Sequence, residues 1–265
     1  KKIMSVTVEY RRQTTVSKVS SSSYCDEYQA VYDAMTNKPT STIAGYQNTM
    51  VEDLVDGGYW TCRMELFYVF AQYSNSDGEA LINWYDPGTY NLTDPTSVSW
   101  TSLKGFDGNG SSNYLSTGWN PNDNATNVCQ NSFTVGGYLK DDAYGTYALL
   151  GCRNGSNYLR FYPYLNATSS SITINSGLAQ NATTSTRLGL MISTRRASEE
   201  QETYLNGESL EDNGSGASTG LPDYPLDLFC YNYNGTRSAY YDGVVSIIFI
   251  MDAVSDADVI AINTI

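Results

Sequence analysis

Ser132-Phe133-Thr134-Val135-Gly136-Gly137-Tyr138-Leu139 decides the fold, read together with its C-terminal neighbours: Tyr147 to Arg153, then Asn154-Gly155, then Tyr158 to Tyr164. Each run is of strand length and rich in aromatic and β-branched residues, and Asn-Gly between two such runs is a strong hairpin signature. The same rhythm extends in both directions from about Glu79. Further candidate strands are Ala80–Trp84, Ser99–Phe106, Tyr114–Ser116, Ser171–Ile174, Arg187–Thr194, Glu202–Leu205, Leu226–Tyr233 and Val244–Ile250. Asp107-Gly108-Asn109-Gly110, Asn206-Gly207 and Asn234-Gly235 read as turns between them, and the Gly/Ser-rich stretch from Glu211 to Pro222 reads as a loop. Many short strands separated by turn residues predict a mainly β fold, a sandwich or a barrel.

Upstream the period changes. Ile3 to Tyr10 alternates as a strand, and Ser23 is placed to cap a helix carrying Tyr24, Tyr28, Val31 and Met35. A second helix is expected from Thr42 to Asp56, stopping at Gly57-Gly58. The spacing of Trp60, Met64, Phe67, Tyr68 and Ala71 suits a third helix, with a buried strand as the alternative for Leu66 to Ala71. These helices are too short to form a core alone and are expected to pack on the sandwich or on a neighbouring subunit. Ser255-Asp256-Ala257-Asp258 opens a capped helix that runs to the final residue.

Three strings, in order, carry a family resemblance. Gly105-Phe106-Asp107-Gly108-Asn109-Gly110-Ser111-Ser112-Asn113-Tyr114-Leu115 resembles the opening strand pair of concanavalin A-like, laminin-G-like jelly rolls. Asn131 to Leu139 is similar to that fold's Phe-Thr-hydrophobic strand, with Tyr138 where Trp is common. Val245 to Ile250, leading into Val254-Ser255-Asp256-Ala257-Asp258-Val259, resembles its last strand and helix. The resemblance spans about Ser99 to Ile265. It implies a jelly-roll sandwich over 96–265, preceded over 1–95 by a strand and a helical attachment or oligomerisation segment.

Gly57-Gly58-Tyr59-Trp60 and Asp86-Pro87-Gly88-Thr89-Tyr90-Asn91 look like proteins of tailed bacteriophages. In those proteins such sandwiches form fibres, spikes or capsid decorations. That implies a virion-surface, extracellular structural protein with other virion proteins as partners, a homo-oligomer with a trimer favoured, and a host glycan as a further contact. A secreted or cell-surface lectin is the alternative. Fold sets only a prior on function.

Composition narrows the chemistry. The 265 residues include no histidine, which removes histidine-based triads and general bases. Glycosidase chemistry needs two carboxylates across a cleft, and no matching string occurs. Glu199-Glu200-Gln201-Glu202 beside Arg195-Arg196 reads as a solvated hairpin rim. A non-enzymatic protein is expected. The net charge of −13 disfavours nucleic acid and anionic membrane surfaces, and no apolar run is long enough to span a bilayer. Five cysteines without close pairing argue against zinc and read as scattered apolar fillers. Eight Asn-x-Ser/Thr triplets reflect the Asn, Ser and Thr content of the chain.

Sugar contact calls for aromatic surfaces beside amides and carboxylates. Trp119 with Asn120, Asn122 and Asp123 fits, as do Tyr240, Tyr241 and Asp242. Trp119 is expected on an exposed contact surface, with burial as the competing reading. For Tyr231 and Tyr233, which share a strand face, the core is the favoured place. No cofactor is expected, apart from an opening for structural calcium at Asp107, Asn109, Asp141 and Asp142.

Overall fold

The computed structural model describes residues 24–141, 145, 147–210 and 216–265. The expected strand at Ile3–Tyr10, the Ser23 cap and Asp142 lie outside them. The described helices are α1 (Asp26–Ala34), α2 (Ser41–Asp56), α3 (Pro121–Asn124) and α4 (Asp256–Ile262). The strands are β1 (Met64–Val69), β2 (Ser99–Thr101), β3 (Gly105–Asn109), β4 (Leu115–Ser116), β5 (Phe133–Leu139), β6 (Leu150–Asn154), β7 (Asn157–Asn166) and β8 (Ser169–Ser176). They continue with β9 (Gln180–Thr183), β10 (Gly189–Ala197), β11 (Glu200–Leu205), β12 (Glu208–Ser209), β13 (Asp227–Leu228), β14 (Tyr231–Tyr233), β15 (Thr236–Ser238) and β16 (Asp242–Met251).

The protein is a mainly β sandwich of jelly-roll type. One sheet runs β12-β11-β10-β5-β16-β3-β2, and the other runs β15-β14-β6-β7-β8-β9 with β13 and β4 alongside β6. β16 pairs with β5 along one edge; on its other edge it meets β3 at Asp242–Val245 and β1 at Ile247–Met251. The first sheet therefore takes a strand from the chain ahead of residue 96. Between the sheets lies the main core, with Phe106, Phe133, Leu150, Leu159, Phe161, Phe229 and Ile248 among its buried residues.

A second apolar layer covers the outer face of the first sheet. Tyr28, Val31, Val51 and Leu54 of α1 and α2, with Val259 and Ile262 of α4, pack with Phe67, Ile192, Phe249 and Met251. This explains the run from Met64 to Val69, in which every residue is buried. Residues covered on both faces of a strand lose the period-2 pattern, so the helical spacing of Trp60 to Ala71 was coincidental. The strand, not the third helix, is what forms. Ala80–Trp84 is likewise not a strand, because Glu79–Leu81 forms a 3-10 turn.

Local chemistry fixes the remaining boundaries. Cys25 and Thr40 cap α1 and α2, and Ser255 and Asp258 form a capping box on α4. Asn206-Gly207 and Asn234-Gly235 each hold φ between +47° and +87°, as type I′ hairpins require. Asp107-Gly108-Asn109-Gly110 is not the expected hairpin turn, since β3 runs through Asn109. Gly108 is glycine because a Cβ there would sit 2.3 Å from the Tyr241 carbonyl oxygen and 2.9 Å from the Phe229 ring. All five cysteines are free; Cys152 and Cys230 are buried fillers, whereas Cys62 and Cys129 are exposed.

Glu79, almost fully buried, ties the helical layer to the sandwich. Its carboxylate accepts the Asn37 backbone N–H at 2.8 Å, the Asn37 amide at 2.9 Å and the Asp77 N–H at 3.1 Å. Burial pushes its pKa up, but these donors outweigh burial and the net shift is down from 4.5. A pKa depressed by folding gives stability that is present above the ordinary glutamate range and lost as pH falls through the folded value. Glu79→Gln should therefore be less stable than the parent at about pH 7, with the gap closing by about pH 3. Urea unfolding at several pH values measures this.

Candidate functional site

Of the two outer sheet faces, helices cover one, and the outer face of the second sheet carries side chains of a different kind. β7 alternates Leu159 and Phe161 into the core with Tyr158, Arg160 and Tyr162 outward. The two-residue loop Gly155-Ser156, with Gly155 at φ +52°, sets Arg153 of β6 directly opposite Tyr158. β14 runs parallel to β6 and adds Tyr231 and Tyr233 to the same face.

These residues form an alternating ladder of rings and guanidinium groups. The Arg153 guanidinium lies 4.4 Å from the Tyr233 ring centroid and 4.0 Å from that of Tyr158. Arg160 lies 5.8 Å from the Tyr158 ring and 4.9 Å from that of Tyr162. The Tyr162 and Tyr231 centroids are 6.3 Å apart. Tyr233 is 41% exposed, whereas Tyr162 and Tyr231 form the floor. Gly151 lets that floor close, since a Cβ there would meet the Tyr231 ring at 2.6 Å. Each exposed cation–π contact stabilises by about 0.5–1 kcal/mol and holds a long side chain in one place.

The polar groups of this face are incompletely used. Arg153 gives Nε to the Gly155 carbonyl at 2.9 Å, and Arg160 gives one Nη to Thr173 Oγ1 at 3.3 Å. Arg160 Nε, the Tyr231 hydroxyl and Asn181 Oδ1 are buried without a hydrogen-bond partner. An unpaired buried group of this kind costs about 1–3 kcal/mol. Burial raises the Tyr231 pKa, a shift the two nearby arginines oppose, so the phenol keeps its proton and can donate. The described ion pairs involve Arg63, Arg196 and Arg237, and neither Arg153 nor Arg160 is in one.

The residues expected to make contact lie elsewhere. Trp119 is not on a surface: it is fully buried in the main core. Its backbone is held there by the Thr117 hydroxyl at 2.9 Å and by the Leu226 N–H at 2.8 Å. Asn120, Asn122 and Asp123 do meet, but as the cap of α3. The Asn120 amide donates to Asp123 at 2.8 Å and to Asp223 at 2.9 Å, and Asn122 donates to Asp123 at 3.1 Å. With Trp119 inside, this cluster has no aromatic platform. Tyr240, Tyr241 and Asp242 are split by strand alternation. Tyr241 is buried against Phe229, with ring centroids 5.9 Å apart, while Tyr240 is half-buried and Asp242 exposed.

Of the calcium candidates, Asp142 lies outside the described residues and Asn109 and Asp141 hold backbone N–H groups. Asn109 Oδ1 accepts the N–H groups of Ser111, Ser112 and Asn113, and Asp141 accepts that of Val244 at 2.8 Å. Asp107 is exposed on β3. Among the described residues no group of three acidic, Cys or His side chains could hold a metal ion.

No protein-family model matches the chain, and no curated protein matches it in sequence. Solved structures do match its fold. The binding domain of botulinum neurotoxin serotype D aligns with a TM-score of 0.54 at 11% identity, over 78% of this chain and 52% of that one. A sialidase of Trypanosoma rangeli, solved with 2,3-difluorosialic acid as a covalent intermediate, aligns with a TM-score of 0.51 at 12% identity, over 83% of this chain and 38% of the sialidase. The match thus spans about half of the toxin domain and less of the enzyme. At such identities the likeness is one of fold, and it agrees with the two-sheet sandwich described above.

Proposed function

We propose that the chain is a non-enzymatic glycan-binding sandwich that receives sugars on the outer face of its second sheet. The observation that carries this reading is the Tyr233–Arg153–Tyr158–Arg160–Tyr162 ladder on the sheet face that the helical layer leaves free. Flat rings offer stacking surfaces to sugar faces, and rigid guanidinium forks offer donors to hydroxyl groups. The rings are already held in place, so little conformational freedom is lost on binding.

In the setting implied by the phage resemblance, the helical layer and the first sheet face other virion proteins in a trimer, and the ladder points outward. A free lectin would use the same ladder; co-purification with virion components separates the two settings. The function itself is tested on a glycan array. Tyr158→Ala and Tyr233→Ala should each weaken binding about tenfold or more, as truncation of an aromatic anchor does. An array on which the parent protein retains no glycan overturns the reading.

A further inference from the structure

We infer that the sugar held by this face carries a carboxylate, and that Arg153 and Arg160 receive it; this rests on the glycan-binding reading above. The chain has 28 acidic residues against 15 Lys and Arg, so acidic partners for an arginine are abundant. Arg63, Arg196 and Arg237 have taken such partners at 2.6–3.8 Å. Arg153 and Arg160 have not. Both guanidinium groups instead meet a single tyrosine ring, that of Tyr158, within 5.8 Å of its centroid.

Ring stacking leaves the in-plane N–H edge of a guanidinium free, and that edge matches the two oxygens of a carboxylate. Arg153 gives Nε to the Gly155 carbonyl and keeps its outer N–H groups, while Arg160 gives one Nη to Thr173 Oγ1 and also bonds the Tyr162 hydroxyl, so Arg153 presents the more open fork. Arg195 also lacks a carboxylate, but it is 1% exposed and spends its fork on carbonyls inside the fold, whereas Arg153 and Arg160 are half-buried on the sheet face. Their fit is to one acidic group on an aromatic-stacked ring. A phosphate backbone would meet the repulsion of the remaining surface.

The test uses the intact protein on an array in which uronic-acid and other carboxylate-bearing oligosaccharides sit beside their carboxyl-reduced counterparts. The parent should prefer the carboxylates about tenfold or more, the factor expected when one charged hydrogen-bond partner is lost. Arg153→Gln with Arg160→Gln should bring that ratio to about one, with binding of acidic and reduced sugars falling to a common level as the forks are lost and the thermal midpoint falling with the cation–π contacts. Arg153→Lys and Arg160→Lys should retain part of the preference, because they keep charge but lose the fork. Equal binding of acidic and reduced sugars by the parent overturns this inference and leaves the glycan reading standing. Absence of any binding overturns both. If the double variant unfolds, the lysine variants decide: an unchanged tenfold preference in both of them overturns the role of the forks.

Discussion

Replacing Trp119 with alanine is expected to lower the unfolding free energy by about 3–5 kcal/mol, the usual cost of removing a large aromatic side chain from a packed interior. Trp119 has no exposed surface and sits in the core between the sheets with Leu115, Leu226 and Leu228. Its main chain is held on both sides, by Thr117 and Leu226, so the surroundings cannot collapse freely into the vacated space. Trp119→Phe should cost less, because it removes an indole N–H that has no partner in the fold. Denaturant unfolding with an unchanged m-value reads both effects. A loss of less than about 1 kcal/mol for the alanine variant would show that the site relaxes or that the side chain is not enclosed.

The second large effect is expected at Arg195. This side chain is 1% exposed. It donates to the carbonyls of Ile174 at 2.7 Å, Ala197 at 3.3 Å, Gly216 at 3.1 Å and Ser198, and to Gln201 Oε1 at 3.1 Å. One guanidinium thereby joins β8, β10, the β10–β11 turn, β11 and the loop after β12. Arg195→Met keeps the apolar stem but leaves several acceptors unpaired. Breaking a buried charged network from one side costs about 3–5 kcal/mol. Arg195→Lys should recover only part, since one ammonium cannot span acceptors spread across five segments. Parallel thermal and urea melts of the two variants check this; a Lys variant as stable as the parent would mean that the charge, not the fork, matters.

Arg195 also marks how far the sequence could be read. Beside Glu199, Glu200 and Glu202, the Arg195-Arg196 pair reads as a solvated rim, yet neighbouring residues of a strand face opposite ways. Arg196 does go to the acids, meeting Glu202 at 3.1 Å and Asp256 at 2.6 Å, while Arg195 turns inward. The sandwich was legible because hairpin turns and strand runs are local signals. The first two helices were legible from their apolar spacing and α4 from its Ser255 cap, but not the strand Met64–Val69, whose two-sided burial depends on partners far along the chain. The contact residues were misplaced for a related reason. Trp119 stands in a loop-like Gly-Trp-Asn-Pro string, and only tertiary packing puts its ring inside. The Arg153, Tyr158, Arg160 and Tyr162 ladder did have a local signature: alternation with Leu159 and Phe161 across the Asn154-Gly155 hairpin. The strand was recognised, but its outward residues were not separated from its inward ones.

β16 has a consequence for how the molecule is made. It is the shared neighbour of β1, β3 and β5, and Arg63, just ahead of β1, bonds Asp252, 189 positions further on. During synthesis, β1 and β3 leave the ribosome long before the strand they must both flank. Until that strand arrives, their free edges and the apolar surfaces meant for the helical layer have no cover, and pairing at such separation is slow. Termination ahead of Asp242 would leave the first sheet in separate pieces, so emergence of β16 is the event that lets the sandwich close.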